Sequence, residues 1–449
     1  MKARAEPDLR PLRACLEGAV PGMVATCDAE GMPNVAYLSQ VVYVDEMHVA
    51  LSFQFFNKTR RNILVNPCAT VLLTDPGTGL LHRLHLRYLR TEDCGPLFEG
   101  MRAQLAGIAS HEGMADVFVL RGADIYRVED IESLPGEGLS PAPARCDLLH
   151  ALRRCCQDLA QCTALEDLVQ ALFAGMRAYM GVEHAMVLLP DSATGRLYTV
   201  ASMGYAQSGV GSEVGLGQGV IGVAAQQRTA VRISHVTHAS LYTHSIRRSM
   251  AADATPAGQD IPYPGLDAPG SQLAIPLLAA GRMLGVVFVE SADEMRFGYQ
   301  EEDALVALAG QLAVALDPLR AFAEHAEPAE PALASARPLT GTPVRVRHFS
   351  ANDSVFLNDD YLIKGVAGAI FCKLLRETLA TGRVDFSNRE LRLDASLKLP
   401  DVADNLEARL LLLQRRLQEN SPHIRLEKTG RGRLRLVLKR PVELDTVSR

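Results

Sequence analysis

The chain has no tryptophan among its 449 residues and only 5% aromatics, so it lacks the stacked aromatic platform that binds single-stranded nucleic acid. No apolar run approaches the roughly 20 residues needed to cross a bilayer as a helix. The opening MKARAEPDLRPLR has no continuous apolar stretch of the signal-peptide kind. A membrane partner is therefore not expected, and the expected location is the cytoplasm. Nine cysteines, an odd count without regular spacing, argue against a disulfide framework and fit a reducing compartment, where free cysteine packs as a small hydrophobe. Highly specific nucleophile–base pairs, metal motifs and phosphate-cradling glycine loops are also missing. No catalytic residue and no metal ligand is assigned.

The length exceeds what one hydrophobic core usually organises. Two stretches rich in Pro, Gly, Ala and Glu, PGEGLSPAPAR from Pro135 and HAEPAEPALASARPLTGTP from His325, lack helical or strand periodicity. The expected division is residues 1–134, a linker 135–145, residues 146–322, a linker 323–342, and residues 343–449. The formal charge of -6 is unevenly spread: residues 341–449 hold 20 Lys+Arg against 14 Asp+Glu, a net of +6, which leaves -12 for residues 1–340. Only the tail suits phosphates.

In the first segment, Met23 to Cys27, Asn34 to Val44 and Met47 to Phe53 alternate as strands, with hairpin turns at Asp28 to Gly31 and Asp45-Glu46. A short helix over Asn57 to Val65 ends at Asn66-Pro67, and strands return at Ala69 to Thr74 and His82 to Arg90. Leu84, Leu86 and Tyr88 share one face, and Arg83, His85 and Arg87 the other. A helix over Leu97 to Ser110 and strands at Val117 to Leu120 and Asp124 to Val128 complete a small β-barrel. The hairpin Met23 to Phe53 and the run SFQFFNKTRRNILVNP from Ser52 resemble the FMN-binding split barrel of the pyridoxamine 5'-phosphate oxidase-like superfamily. That resemblance implies that Asn57, Lys58, Thr59 and Asn62 meet a flavin phosphate, a role suited to a lysine charge and small donors at a helix start. The carboxy-terminal substrate motif of the true oxidases is missing, so vitamin B6 oxidation is not the expected reaction. A solvated basic turn at Lys58, Arg60 and Arg61 is the plainer alternative.

The middle segment opens with an amphipathic helix over Asp147 to Met180, broken near Thr163, followed by strands at Ala185 to Leu189 and Arg196 to Ser202 around a turn at Asp191 to Gly195. With GLGQGVIGVAAQQRTAVRISHV from Gly215, SQLAIPLLAAGRMLGVVFVES from Ser271 and a last helix over Gln300 to Leu316, this layout resembles a GAF domain. The resemblance implies a six-stranded antiparallel sheet with a small-molecule pocket on one face and helices packed on the other. Gly217, Gly219 and Gly222 would permit the close turn into a pocket-lining helix, Val220 to Gln226. Residues 235–270 would form the lid, making Gly219, His235, His238, Tyr242 and His244 candidate ligand contacts. His235 and His238 are one helical turn apart, but neither carboxylate nor cysteine lies at a confirming interval. Cys155 and Cys162 are seven apart, as seam positions on a helix pair would be. Nearby Arg153 and Arg154 favour a thiolate there, and burial opposes it.

The last segment reads as strands over Phe349 to Leu362, a helix over Gly365 to Leu379, and a second helix from Ser387 with Glu390 placed for a capping box. A third helix, Asn405 to Gln418, buries Leu406, Leu410, Leu413 and Leu417 and turns Arg409 and Arg416 to another face. Leu411 and Leu412 lie off that stripe, as they would if the helix were buried on two sides. A hairpin, IRLEKTGRGRLRLVL from Ile424, carries Arg425, Lys428, Arg431, Arg433 and Arg435. The order resembles the winged-helix output domain of response regulators, although Arg433 stands where an aromatic usually follows the wing glycines. It implies Arg409 and Arg416 near base edges and Lys428, Arg431 and Arg433 on phosphates.

The expected fold is thus multidomain α+β: a split β-barrel, a GAF α/β sandwich with an antiparallel sheet, and a C-terminal winged helix. The expected function is that of a cytoplasmic, homodimeric one-component transcriptional regulator that senses a small ligand or redox state and binds duplex DNA. The resemblance admits FMN as the cofactor, and since the superfamily also holds members that bind haem, a deazaflavin or no cofactor, its identity is otherwise left open. The alternatives are an FMN-dependent oxidoreductase with regulatory modules and a winged helix that docks protein.

Overall fold

The computed structural model describes residues 7–16, 20–38, 40–54, 58–95, 97–102, 105, 119–140, 145–191, 194–233, 261–322, 339–397, 406–430 and 432–447. A 3-10 segment, Arg10–Leu16, buries Leu12, Cys15 and Leu16. It is followed by β1 (Gly22–Cys27), β2 (Pro33–Leu38), β3 (Val41–Asp45), β4 (His48–Phe53), α1 (Lys58–Val65), β5 (Cys68–Thr74), β6 (Leu81–Glu92) and β7 (Gly122–Ser133). These strands form one seven-stranded sheet in the order β2-β1-β5-β6-β7-β4-β3, antiparallel throughout. Alternation drives it, since Val24, Val71, Leu84, Leu86, Val49 and Tyr126 all point into one core. The strand expected over Asn34 to Val44 is two strands at opposite edges of the sheet. β2 pairs with β1 and β3 with β4, so the chain must cross between edges, and the Gln40 carbonyl accepts the Ser52 amide at the crossing. The helix expected over Leu97 to Ser110 is present at residues 97–102 and 105, and its other positions lie outside the described residues. Residues 119–120 are irregular.

The amphipathic helix of the middle segment is two helices, α2 (Leu148–Leu159) and α3 (Leu165–Met180). Asp147 caps α2 by accepting the His150 amide at 3.0 Å, and left-handed Gly181 ends α3. Next come β8 (His184–Asp191), β9 (Arg196–Met203), β10 (Glu213–Gly215), α4 (Gly219–Gln227), β11 (Val231–Ile233), β12 (Ser271–Ala279), β13 (Arg282–Ser291) and α5 (Tyr299–Phe322). Six antiparallel strands lie in the order β10-β9-β8-β13-β12-β11. One face packs Met186, Leu188, Val286 and Phe288 against Val220, Ile221 and Ala224 of α4. The other carries α2, α3 and α5 through Cys155, Leu172, Met176, Leu308 and Leu312. Cys155 fills the helix seam as expected. Cys162 does not share its face, because it lies beyond the end of α2 with its thiol directed to the Asp158 carbonyl.

The last segment comprises β14 (Val344–Phe349), β15 (Ser354–Leu357), β16 (Asp360–Ile363), α6 (Gly365–Thr381), β17 (Asp385–Ser387), α7 (Asn388–Leu393), a 3-10 turn, α8 (Leu406–Asn420), β18 (Ile424–Gly430), β19 (Arg433–Leu438) and β20 (Val442–Val447). It holds two sheets, one in the order β16-β15-β14-β20 and one in the order β17-β19-β18. The parallel pairing of β20 with β14 was not anticipated. Ser387 caps α7 through the Glu390 amide. The reciprocal half of the box is replaced, because Arg383 holds the Glu390 carboxylate at 2.6 and 2.7 Å. Among the described residues no helix is long and apolar enough to cross a membrane.

The turn into α4 tests the second sheet's geometry. Gly217 and Gly219 have φ of 77° and 59°, and a Cβ on Gly222 would lie 2.1 Å from the Gly215 carbonyl oxygen. Gly222→Ala must therefore move backbone, and we expect a loss of about 1–3 kcal/mol, read as a lowered midpoint in thermal denaturation followed by circular dichroism. An unchanged midpoint would contradict the close approach.

Candidate functional site

A cleft of about 650 Å³, counted to its open mouth, lies in the first sheet between β1, β2, β4, β7 and α1. Its polar floor is Arg60, which donates to Asp124 at 2.5 Å and to Thr91 at 2.8 Å. The guanidinium lies between the rings of Phe53 and Tyr88, 4.7 and 5.5 Å from their centroids. Burial pushes the Asp124 carboxyl up, against the bonds from Thr91 and Arg60 that favour its charged form. The buried hydroxyls of Ser52 and Tyr126 have no hydrogen-bond partner among the described residues. Burial and the Asp124 charge keep Tyr126 protonated.

The expected flavin contacts divide. Asn57 lies outside the described residues. Lys58 stands half-exposed at the start of α1, 4.0 Å from Asp28 Oδ2. Thr59 lines the cleft and accepts from Asn34. Asn62 is turned inward to donate to Thr26, so it is a core residue rather than a ligand contact. Arg60 is not part of a solvated basic turn: its side chain is 13% exposed and supplies the cation of the cleft. Its signal was Asp124, a carboxylate on an otherwise apolar inward stretch. Thr59 and the unpartnered Ser52 and Tyr126 hydroxyls line the cleft, with Lys58 at the start of α1 outside its lining, and these are the polar groups that would hold an FMN-sized ligand.

The second sheet has its own buried polar cluster. Glu290, 2% exposed, sits opposite His184 on β8 and Gln272 on β12. It accepts from the Leu266 amide at 3.0 Å and Gln272 Nε2 at 3.1 Å. Tyr205 packs its ring 5.4 Å from that of His184. Burial raises both Glu290 and Tyr205, which favours their protonated forms. Gly219 begins α4 on the same face of the sheet. His235, His238, Tyr242 and His244 lie outside the described residues.

The third feature joins domains. Arg409 is 5% exposed and Arg416 9%, so neither presents its side chain to solvent as the DNA-reading role expects. Arg409 pairs with Asp191 of β8 at 3.0 Å and lies 4.2 Å over the Tyr198 ring. Arg415 donates to the Val200 carbonyl at 3.1 Å, and Arg416 to the carbonyls of Leu362 and Tyr361. Leu411 and Leu412 are buried with the main stripe, the two-sided burial that their positions had indicated. Lys428 and Arg433 are exposed on the hairpin, Arg435 pairs with Asp385, and Arg431 lies outside the described residues.

A comparison with curated proteins returned no match. Among solved structures, the chain is similar to the GAF domain of a phosphoenolpyruvate-protein phosphotransferase from Acinetobacter at 22% identity, over 38% of this chain and 94% of that one, with a TM-score of 0.32. It is similar to free methionine-R-sulfoxide reductase from Neisseria meningitidis in complex with its substrate at 20% identity, over 41% and 98%, with a TM-score of 0.31. It is also similar to an FMN-binding protein from Syntrophomonas wolfei subsp. wolfei at 16% identity, over 28% and 84%, with a TM-score of 0.24. Residues 10–110 match the pyridoxamine 5'-phosphate oxidase family and residues 162–317 the GAF domain family. The chain therefore joins a domain of the pyridoxamine 5'-phosphate oxidase family to a GAF domain.

Proposed function

We propose that the protein is a cytoplasmic one-component regulator. Its barrel cleft holds FMN, its GAF sheet receives a small ligand, and its C-terminal module is a winged helix held back from duplex DNA by the GAF domain. The observation that carries this reading is the burial of α8, with Arg409 seated on Asp191 and Tyr198. A helix that is to read DNA gains regulation by being occupied elsewhere. Ligand binding then favours the undocked state, and the net charge of the tail and the exposed Lys428 and Arg433 support the contact with phosphates. Exposed Leu149 on α2 and Val306 and Val314 on α5 support pairing of two copies through the GAF helices, as a dimer on operator half-sites requires.

FMN, when bound, supplies one- and two-electron redox chemistry. The chain's part is to hold it: Lys58 and the α1 amides on the phosphate, and Ser52 and Tyr126 hydroxyls on polar atoms of the remainder. Lys58→Ala should weaken FMN about tenfold in a fluorescence titration without lowering thermal stability. Wild-type protein that takes up no FMN at excess ends the flavin reading.

Removing the partner of a buried charge costs about 3–5 kcal/mol, so Asp191→Asn should release α8 and raise affinity for upstream duplex DNA at least tenfold in fluorescence anisotropy. Adding Arg433→Ala should weaken binding to all sequences and flatten the salt dependence by about one unit. If neither wild type nor Asp191→Asn binds DNA at low salt, the tail is a protein-docking module.

A further inference from the structure

We propose that Cys15, Asp75 and His82 form a binding site for a divalent metal ion of the zinc class, in the barrel beside the segment that reaches the GAF domain. The three residues come from separate elements: the 3-10 segment, the turn after β5, and β6. One donor atom of each, thiol, carboxylate oxygen and ring nitrogen, lies within 4.8 Å of the other two. A tetrahedral sphere with bonds of about 2.0–2.3 Å spaces its donors about 3.5 Å apart. Closing onto an ion therefore needs movements of about 1 Å or less.

Cys15 and His82 are 6% and 8% exposed, so the ion would be shielded from competing solvent. His82 Nδ1 is 3.1 Å from Ser133 Oγ, its cross-strand neighbour. That bond orients the ring with Nε2 available, as the second nitrogen of a metal-bound histidine usually is. Asp75 Oδ1 accepts the Gly77 and Thr78 amides, which fixes the carboxylate beside the other two donors. Thiolate and imidazole beside one carboxylate suit zinc and exclude the all-oxygen preference of calcium and magnesium. Binding releases the thiol proton to solvent and moves no electron.

The position gives occupancy a consequence. The residue after Cys15, Leu16, accepts a hydrogen bond from the Tyr299 hydroxyl of α5 at 3.1 Å. Arg13, on the same segment, pairs with Asp303 of α5 at 2.7 and 3.1 Å. An ion that draws Cys15 toward His82 acts on the segment that meets the GAF terminal helix.

The test uses the full chain with the exposed Cys68 and Cys94 replaced by serine, stripped with a chelator and titrated with Co²⁺. One equivalent should bind with a thiolate-to-cobalt band in the near ultraviolet, and Zn²⁺ should displace it. Cys15→Ser should abolish the band, His82→Gln should weaken binding about a hundredfold, and Ser133→Ala about tenfold. No stoichiometric binding, or a band that survives Cys15→Ser, overturns the proposal. Should Cys15→Ser fail to fold, zinc-edge X-ray absorption of the unaltered site decides: one sulfur at about 2.3 Å supports it, and a shell without sulfur or with several overturns it.

Discussion

A guanidinium buried to the depth of Arg409 must keep a counter-charge, or the helix that carries it cannot stay where it is. Asp191 provides that charge from the end of β8, and the Tyr198 ring covers the planar face. The ion pair thus fixes α8 against the GAF sheet. With α8 fixed, the hydrophobic residues of the GAF helices, Leu411 and Leu412, and the C-terminal core merge into one cluster. The availability of the C-terminal module is a property of the GAF domain as much as of its own sequence.

The barrel is attached through its first 3-10 segment to α5. Arg13 packs 4.3 Å over the Tyr299 ring while pairing with Asp303, and Arg232 holds Glu302 on the same helix at 2.7 Å. Helix α5 therefore feels the barrel at its N-terminal turn. A two-state element with contacts to both neighbours is what coupling between sites requires. The barrel cleft holds the Arg60–Asp124 pair, and the GAF sheet holds the buried cluster around Glu290. Each is costly to keep dry without an occupant or a full set of bonds.

Much of the architecture was legible from local rules. Alternation located β1, β5 and β6; Asp147 and Asn66-Pro67 marked helix ends; and the glycines before α4 marked the turn they form. What failed was what depends on distant partners. Nothing in Asn34 to Val44 shows that its two halves pair at opposite edges of a sheet, and β20 is strand only because β14 lies beside it. Arg409 and Arg416 have the spacing of an exposed face, and only tertiary packing buries them. Glu390 has the capping spacing, yet Arg383 takes its carboxylate. Arg60 likewise gains its meaning from Asp124, 64 positions on. Cys15, Asp75 and His82 have no motif spacing at all, and the fold alone brings them together.

Amide hydrogen exchange on the full chain tests the central claim most directly, because docking of α8 protects both partners of the contact. In Asp191→Asn, peptides from α8 and from β9 should lose protection together while α6 remains as protected as in the wild type. If α8 and β9 exchange at wild-type rates in that variant, the Arg409–Asp191 contact does not hold the C-terminal module on the GAF domain, and the account is wrong.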